Sequence, residues 1–451
     1  MFLRFRNDAD RLCGILSGIE AKSQNRVSLD EMLETLDRSK PALFENLRKR
    51  FDSPVPAKAV TQKILNLCLA KYHFRARSAV VLSKPLGLVA DPSNSCNLAC
   101  PGCVHSRQVK ELKLFDWNPG LLPESRLTAF LKSYGPNATH AMLCNYGEPL
   151  TNPDTPKYIR LAKSYLLHTM LSTNFSLPRF DADAYAQSGL DYMNLSVDGA
   201  TQPVYERFRR KGNIELVFEN IRKLVDAKKR AGRMMPIVSW RFLCFEHNIH
   251  EIPLAIEKAR ELGLDEFNAE PAWDISWDDP DIRPAQIEPV RVKFTPVSRE
   301  AVVENWNPFP ANPAFEEEFE QKWADRAGKA PANAPGATCE YLYKSITMDA
   351  GGRIFPCCCS PSGRKDLTFA QFDATADDFN SDKHQRSRLA FVDRAAYHRD
   401  REARGFDGDP YCVRCEWDKT ADPSSLQIRN YFQAARVKDE QTLEALSNWT
   451  Q

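Results

Sequence analysis

Strand-like and helix-like segments alternate between residue 86 and residue 271, and this alternation limits the fold more than any other feature of the sequence. Short apolar runs are separated by stretches whose apolar residues recur every three or four positions. About six such strand–helix units follow one another. The pattern predicts an α/β fold in which a parallel sheet is covered by helices, with the binding loops at the carboxyl ends of the strands.

The segments on either side of this region differ from it. Residues 1–85 carry apolar residues at helical spacing and no strand-like run, so we predict a helical N-terminal extension. Residues 272–338 are rich in Pro, Asp and Trp and are predicted to be an irregular segment and linker. A cysteine-containing module is predicted at 339–420, and a helical tail at 421–451.

Charge and hydropathy exclude several classes of protein. The 61 Lys and Arg residues nearly balance the 60 Asp and Glu residues, so the net charge gives no reason to expect nucleic acid or an acidic membrane as a partner. There is no apolar run of about 18 residues, and the opening MFLRFRNDAD is charged too early for a secretory signal. We therefore expect a cytoplasmic protein that binds neither nucleic acid nor membrane.

The 13 cysteines are the most informative residues for function. Cys96, Cys100 and Cys103 lie within SCNLACPGCVHS, directly after the strand-like LGLVAD. An odd number of clustered thiols in a cytosolic chain of this size indicates metal binding rather than disulfide bridges. Four scattered cysteines have apolar neighbours and are predicted to be core residues: Cys13, Cys68, Cys144 and Cys244.

Three thiolates in a CxxxCxxC loop favour an iron–sulfur cluster over zinc. A structural zinc site has four protein ligands, and no fourth Cys or His lies at suitable spacing, since His105 is too close to Cys103 to share its tetrahedron. A 4Fe-4S cluster held by three cysteines leaves one iron open for a small molecule. Zinc or inert thiols are the alternatives.

Several segments resemble radical S-adenosylmethionine (radical SAM) enzymes. CNLACPGC is similar to the signature loop that follows the first barrel strand of that family. LCNYGEPLTNP resembles the GEP segment of the second strand, LSVDGATQPVYERFRRKGN the fourth strand and its following turn, and RFLCFEHNIHEI the fifth-strand region. The resemblance covers residues 86–270 in the expected order and implies a partial (β/α)6 barrel. Gly102 departs from the pattern, because many members have an aromatic residue there.

The resemblance also implies a chemistry. The open iron would chelate S-adenosyl-L-methionine, and an electron from the cluster would cleave it to a 5′-deoxyadenosyl radical that takes a hydrogen from the substrate. Glu148 would accept from the methionyl ammonium, and Arg209 would pair with the methionyl carboxylate. An ordinary loop, turn or charged helix approach is the alternative for these positions. The expected cofactor contacts are Gly147, Glu148, Pro149, Ser196, Asp198 and Arg209.

A second group of thiols follows in the C-terminal module. Taken alone, two separated pairs of cysteines fit zinc or a second cluster equally well. Their order, Cys then Gly-x4-Cys then CxxC, resembles the twitch domain, a shortened relative of the SPASM domain, and implies one auxiliary 4Fe-4S cluster. The expected ligands are Cys339, Cys357, Cys412 and Cys415, and the spacing leaves open whether Cys358 or Cys359 takes the place of Cys357.

A closed auxiliary cluster is suited to electron transfer, so we expect an oxidation or dehydrogenation of a small biosynthetic intermediate. Modification of a peptide or protein side chain is the alternative within the family, and the all-helical N-terminus weakly favours a small substrate. A non-catalytic iron–sulfur or zinc scaffold is the alternative from another class. The expected partners are a small-molecule or peptide substrate and an electron donor such as flavodoxin or ferredoxin.

Overall fold

A computed structural model describes residues 78–106, 120–272, 281–296, 341–357 and 368–392, with the single positions 63, 66, 70, 73, 74, 279, 339, 397, 398 and 412. Within the N-terminal extension, the five positions described between 63 and 74 are helical, as predicted. The rest of that helical extension, the C-terminal tail and Cys415 lie outside the described residues, and these predictions stay predictions.

The described strands form one sheet of ten strands. In chain order they are β1 (Gly87–Ala90), β2 (His140–Met142), β3 (His168–Thr173), β4 (Tyr192–Ser196), β5 (Ile237–Cys244), β6 (Glu266–Pro271), β7 (Val290–Lys293), β8 (Ser345–Met348), β9 (Arg353–Phe355) and β10 (Ala370–Gln371). Their order across the sheet is β10-β9-β8-β1-β2-β3-β4-β5-β6-β7. Strands β8 and β1 to β6 are parallel, whereas β7, β9 and β10 are antiparallel to their neighbours.

Helices alternate with the parallel strands as the sequence predicted. The described helices are α1 (Glu124–Tyr134), α2 (Thr155–Ser164), α3 (Ala182–Ala186), α4 (Gln202–Phe208), α5 (Ile214–Arg230), α6 (Ile252–Glu261), α7 (Tyr341–Lys344) and α8 (Asp382–Val392), with short 3-10 turns at Pro149–Thr151, Ile249–Glu251 and Asp378–Asn380. The start of α5 is fixed by Asn213, whose side chain accepts from the N–H of Leu216 at 3.1 Å. The prediction of a partial (β/α)6 barrel is confirmed by this order and direction of strands.

The two faces of the central strands have different surroundings. Successive side chains of a strand point to opposite faces, and along β4 the residues Met193 and Leu195 are fully buried while their neighbours are half-buried. Trp240, Phe242 and Phe267 are buried in the same core cluster, on β5 and β6. The apolar core therefore lies on one face of the strands, and the other face keeps partial access to solvent.

The first part of the predicted C-terminal module is continuous with the barrel sheet. Strand β8 pairs with β1 in parallel, and the N–H of Asp91 donates to the carbonyl of Met348 at 3.0 Å. Strands β8 and β9 are antiparallel and form a hairpin that leads to Cys357. Gly352 in its turn has a φ of +84°, and a side chain there would meet Arg126 Nε at 2.7 Å, so this position requires glycine.

Part of the segment predicted to be irregular forms a strand. Strand β7 lies within the stretch predicted to be irregular, and that prediction was wrong at these residues because the pairing with β6 is non-local.

In the N-terminal extension, Lys63 donates to the carbonyls of Gly135 and Ala138, next to the amino end of β2. Through this contact the N-terminal segment packs against the barrel. Of the described helices, none has the length and apolar character needed to cross a membrane.

Candidate cofactor site

A cavity of about 300 Å³ lies at the carboxyl ends of β1 to β5, where the predicted α/β fold places a binding site. Its wall combines the thiol loop with residues that follow β2, β3 and β4. Of the predicted contacts, the cavity is lined by Cys96, Cys100, Cys103, Gly147, Glu148, Ser196 and Arg209. Residues more than 100 positions apart in sequence are thus brought to one place.

The three thiols share this cavity and an apolar environment. Cys96, Cys100 and Cys103 pack with Leu98 and Phe208. Burial raises the pKa of the Cys100 thiol to about 12 and also raises the pKa of Cys96. Binding of a metal cluster must therefore displace the thiol protons.

The arrangement fits a cluster held by three cysteines. Within the described residues, no three Cys, His, Asp or Glu side chains are placed to hold one metal ion. The ring of His105, an unsuitable fourth ligand by spacing, instead contacts the carbonyl of Tyr146 at 2.9 Å. One buried and two half-buried thiols at one cavity beside Glu148 fit a three-cysteine cluster with a small-molecule ligand.

The GEP segment is held tightly against the thiol loop. A Cβ atom on Gly147 would lie 1.6 Å from the carbonyl oxygen of Ser93, so only glycine permits this approach. The N–H of Glu148 donates to the carbonyl of Ser95 at 2.7 Å. The fully buried Asp91 carboxylate accepts from the N–H groups of residues 145, 146 and 147 at 3.2, 3.0 and 3.2 Å. Asp91 is therefore a positioning residue that sequence reasoning missed.

Glu148 is buried and hydrogen-bonded on both carboxylate oxygens. Oε1 accepts from Thr173 Oγ1 at 2.6 Å and from the N–H of Leu150 at 3.1 Å, and Oε2 accepts from the N–H of Asn174 at 2.8 Å. Burial raises the pKa of Glu148 to about 6 against these bonds. A carboxylate has about four acceptor positions, so one on Oε2 is left for a ligand. Pro149 begins the 3-10 turn that Glu148 caps and does not line the cavity.

Asn174 is a second residue that sequence reasoning missed. Its Nδ2 donates to Cys96 Sγ at 3.7 Å and to Asn97 Oδ1 at 3.0 Å. Asn97 in turn donates to the carbonyl of Ser176 at 2.7 Å. These bonds tie the thiol loop to the end of β3. The sequence signal for this residue was its position: an Asn directly after a buried strand, at the same sheet edge as the thiols.

The fourth-strand residues divide between the cavity and its support. Ser196 lines the cavity and its Oγ lies 3.0 Å from Ser172 Oγ. Asp198 is fully buried and does not line it; its oxygens accept from Arg209 Nε at 2.5 Å and from the N–H of Leu243 at 2.7 Å. Arg209 also donates to Cys100 Sγ at 3.9 Å. The structure thus places Asp198 behind Arg209, to which it is hydrogen-bonded.

Gly102, at a position where the family resemblance led us to expect an aromatic residue, has a local conformational reason to be glycine. Its φ of +73° lies in the left-handed region that favours glycine. Cys144 and Cys244 are buried as predicted, although Cys144 also lines the cavity and accepts from the N–H of Ser172 at 3.1 Å. Cys13 and Cys68 lie outside the described residues.

The predicted auxiliary ligands are described only in part. Cys357 follows β9, and Cys412 is buried in the main core cluster, against which Cys339 also packs. Cys415, Cys358 and Cys359 lie outside the described residues. The auxiliary cluster therefore stays a prediction.

Comparison with known proteins agrees with the geometry of the first site. Residues 91–239 match the sequence model of the Radical SAM superfamily. These residues form a radical SAM domain. The matched segment contains all the predicted contacts to the first cluster and to S-adenosylmethionine. The auxiliary cysteines lie outside it.

The chain is also similar to curated enzymes named as cyclases. It is 25% identical over 174 residues to GTP 3′,8-cyclase of Chlorobaculum tepidum, covering 38% of this chain and 49% of the relative. It is 28% identical over 185 residues to PqqA peptide cyclase of Ruegeria pomeroyi, covering 40% and 45%. The chain spans about half the length of these curated relatives. The crystal structure of Streptococcus suis SuiB bound to S-adenosylmethionine aligns with a TM-score of 0.46 at 11% identity, over 80% of this chain and 78% of SuiB.

Proposed function

We propose that the chain is a radical SAM enzyme that binds S-adenosylmethionine at the thiol cavity and removes a hydrogen atom from a substrate held beside it. The observation that carries the proposal is the convergence of Cys96, Cys100 and Cys103 with Glu148 and Arg209 on one cavity. A 4Fe-4S cluster on the three thiols would supply the electron for reductive cleavage of the bound cofactor.

The residues of the chain bind and orient the cofactor. The remaining acceptor position of Glu148 takes the methionyl ammonium in a charge-assisted hydrogen bond. Arg209, oriented by Asp198, offers its guanidinium to the methionyl carboxylate at the Cys100 side of the cavity. Ser196 and Ser172 present hydroxyls at the carboxyl ends of β4 and β3. Gly147 and Asp91 keep the GEP segment against the thiol loop.

The finer proposal is an oxidation. Cys339, Cys357, Cys412 and Cys415 would hold an auxiliary 4Fe-4S cluster, which would accept one electron from the substrate. With one hydrogen atom removed and one proton released, the substrate would be oxidised by two electrons in all. The predicted substrate is a small biosynthetic intermediate. A flavodoxin or ferredoxin as electron donor and a cytoplasmic location belong to the same proposal.

A second candidate is modification of a peptide. It is favoured by the match to PqqA peptide cyclases, one of which is 28% identical over 185 residues. The first cluster, the cofactor site and the hydrogen removal are the same for both candidates, so the two differ only in what occupies the space beside the cavity.

The test of the common part is metal content and cofactor cleavage. Anaerobic reconstitution should yield about eight irons per chain, and Cys96→Ala with Cys100→Ala and Cys103→Ala should leave about four. With dithionite, the unmodified protein should release 5′-deoxyadenosine and methionine from S-adenosylmethionine, and the triple variant should release neither. Bound zinc without iron after anaerobic purification would contradict the proposal.

A further inference from the structure

The face of the sheet opposite the helices carries a row of polar side chains. On β4, Tyr192 and Ser196 point to this face, and the hydroxyl of Tyr192 donates to Glu266 Oε2 on β6 at 2.7 Å. Further along the same face, Asn268 on β6 donates to Ser239 Oγ on β5 at 2.7 Å. Side chains that are half-buried and polar on the concave side of a partial barrel form a surface for a polar molecule.

Arg241 on β5 and Glu270 on β6 form an ion pair on this face. Nε and Nη2 of Arg241 both donate to Glu270 Oε2, at 3.2 and 3.0 Å. The side chains are 31% and 33% exposed. Within the part of the chain that the structure describes, Nη1 of Arg241 and Oε1 of Glu270 make no hydrogen bond. The pair therefore keeps donors and an acceptor available side by side.

The pair adjoins the cofactor cavity. In the parallel register, Arg241 is the partner of Ser196 and Glu270 is the partner of Leu243. Ser196 and Leu243 both line the cavity. Neighbouring strands are about 5 Å apart and paired residues face the same side, so the ion pair lies one strand spacing from the cavity wall.

Two other ion pairs differ from the Arg241–Glu270 pair in burial and in hydrogen bonding to the backbone. Lys163 with Asp191 and Lys228 with Asp265 have side chains no more than 10% exposed. In each of those pairs the carboxylate also accepts from a backbone N–H, at 2.7 Å for Asp191 and 2.8 Å for Asp265. Those two pairs tie strands together. Among the described residues, the charged ends of Arg241 and Glu270 make no hydrogen bond to a backbone group, and both side chains stay about one-third exposed.

We propose that Arg241 and Glu270 bind the substrate, and that the substrate is an amino-acid unit, either free or within a peptide. This inference rests on the proposed function and names its substrate class. The unused N–H groups of Arg241 donate to a carboxylate or amide carbonyl, and Oε1 of Glu270 accepts from an ammonium or amide N–H. An amino-acid unit carries one such acceptor and one such donor close together. Ser196 and Leu243 separate this unit from the cofactor.

The test is deuterium transfer into 5′-deoxyadenosine. The reconstituted full-length protein is given S-adenosylmethionine, dithionite and one of three probes: a mixture of uniformly deuterated amino acids, a tryptic digest of deuterated protein, or deuterated glucose with deuterated ribonucleosides. We expect deuterium in 5′-deoxyadenosine from the first or the second probe. Transfer from the first probe indicates a free amino acid, and transfer from the second probe alone indicates a peptide. The third probe is the negative control, from which we expect no deuterium.

Variants then assign the transfer to the pair. Arg241→Gln and Glu270→Gln should each lower deuterium transfer about tenfold or more, since each removes a charge-assisted bond, while unlabelled 5′-deoxyadenosine still forms. Arg230→Gln breaks an exposed ion pair with Asp183 on the outer surface and is the matched control. Thermal unfolding of each variant checks that the fold is retained.

The outcomes separate this inference from the proposed function. Deuterium from the third probe alone, no deuterium from any probe while the cofactor is cleaved, or unchanged transfer in both pair variants would overturn the role of Arg241 and Glu270. Absence of cofactor cleavage in the unmodified, iron-loaded protein would instead reject the proposed function, and the inference with it.

Discussion

Gly147→Ala is the substitution whose effect the structure defines most sharply. The added methyl carbon would lie 1.6 Å from the carbonyl oxygen of Ser93, 2.6 Å from its carbonyl carbon and 3.1 Å from the Cα of Asn94. All three atoms belong to the backbone, so no side-chain rotation relieves the overlap. The GEP segment must move away from the thiol loop by more than an ångström.

That movement breaks specific hydrogen bonds. The N–H of Glu148 would leave the carbonyl of Ser95, now at 2.7 Å, and the N–H of Gly147 would leave the Asp91 carboxylate, now at 3.2 Å. A neutral bond contributes about 1 kcal/mol and a bond to a charged group about 2 kcal/mol. We therefore expect Gly147→Ala to lower the free energy of unfolding by about 3 kcal/mol and to weaken S-adenosylmethionine binding.

Gly232→Ala is the control for this experiment. Gly232 has a φ of +62°, but a Cβ atom there would meet nothing within 4 Å, so only backbone strain of about 1 kcal/mol is expected. Urea unfolding of the metal-free proteins compares the stabilities, and equilibrium dialysis of the reconstituted proteins compares cofactor affinity. If Gly147→Ala matched Gly232→Ala in both measurements, the close approach to Ser93 would not be what holds the GEP segment.

Three further predictions concern the two sites. Glu148→Gln should weaken cofactor binding in equilibrium dialysis. It should also remove a pH dependence of the free energy of unfolding, because folding raises the pKa of Glu148 to about 6. The stabilisation from this group is present at low pH and falls by about 2 kcal/mol as pH rises through that value. Asn174→Ala removes the N–H donor to Cys96 and should lower the reduction potential of the first cluster in an EPR redox titration; an unchanged potential would exclude that contact. Cys412→Ala with Cys415→Ala should lose about four irons and form no product, while still cleaving S-adenosylmethionine; full iron and turnover would remove the pair from the auxiliary site.

Local elements were predictable because their signals are local. The seventeen-residue helix Ile214–Arg230 and the strand Ile237–Cys244 have the bounds that their apolar periodicity indicates. Periodicities of 3.6 and 2 are properties of a few consecutive residues, so they survive without knowledge of the rest of the chain. The glycine in the turn before Cys357 was predictable for the same reason.

The cofactor site was predictable where its residues follow strands directly. Parallel strands carry their carboxyl ends to one edge of the sheet, which is why the thiol loop, Glu148 and Ser196 meet at one cavity. The supporting residues were not predictable, because Asp91 and Asn174 act through contacts to backbone groups and thiols that are distant in sequence. Asp198 was predicted to touch the cofactor, and the structure places it behind Arg209.

The sequence by itself determined the order of strands and helices, the three-thiol loop and the match of residues 91–239 to the radical SAM superfamily. Only the tertiary structure decided that β8 pairs with β1 and that Arg241 meets Glu270 beside the cavity. The physical reason is that register and strand order are fixed by the packing of many residues at once. No short stretch of sequence records which distant side chains that packing brings into contact.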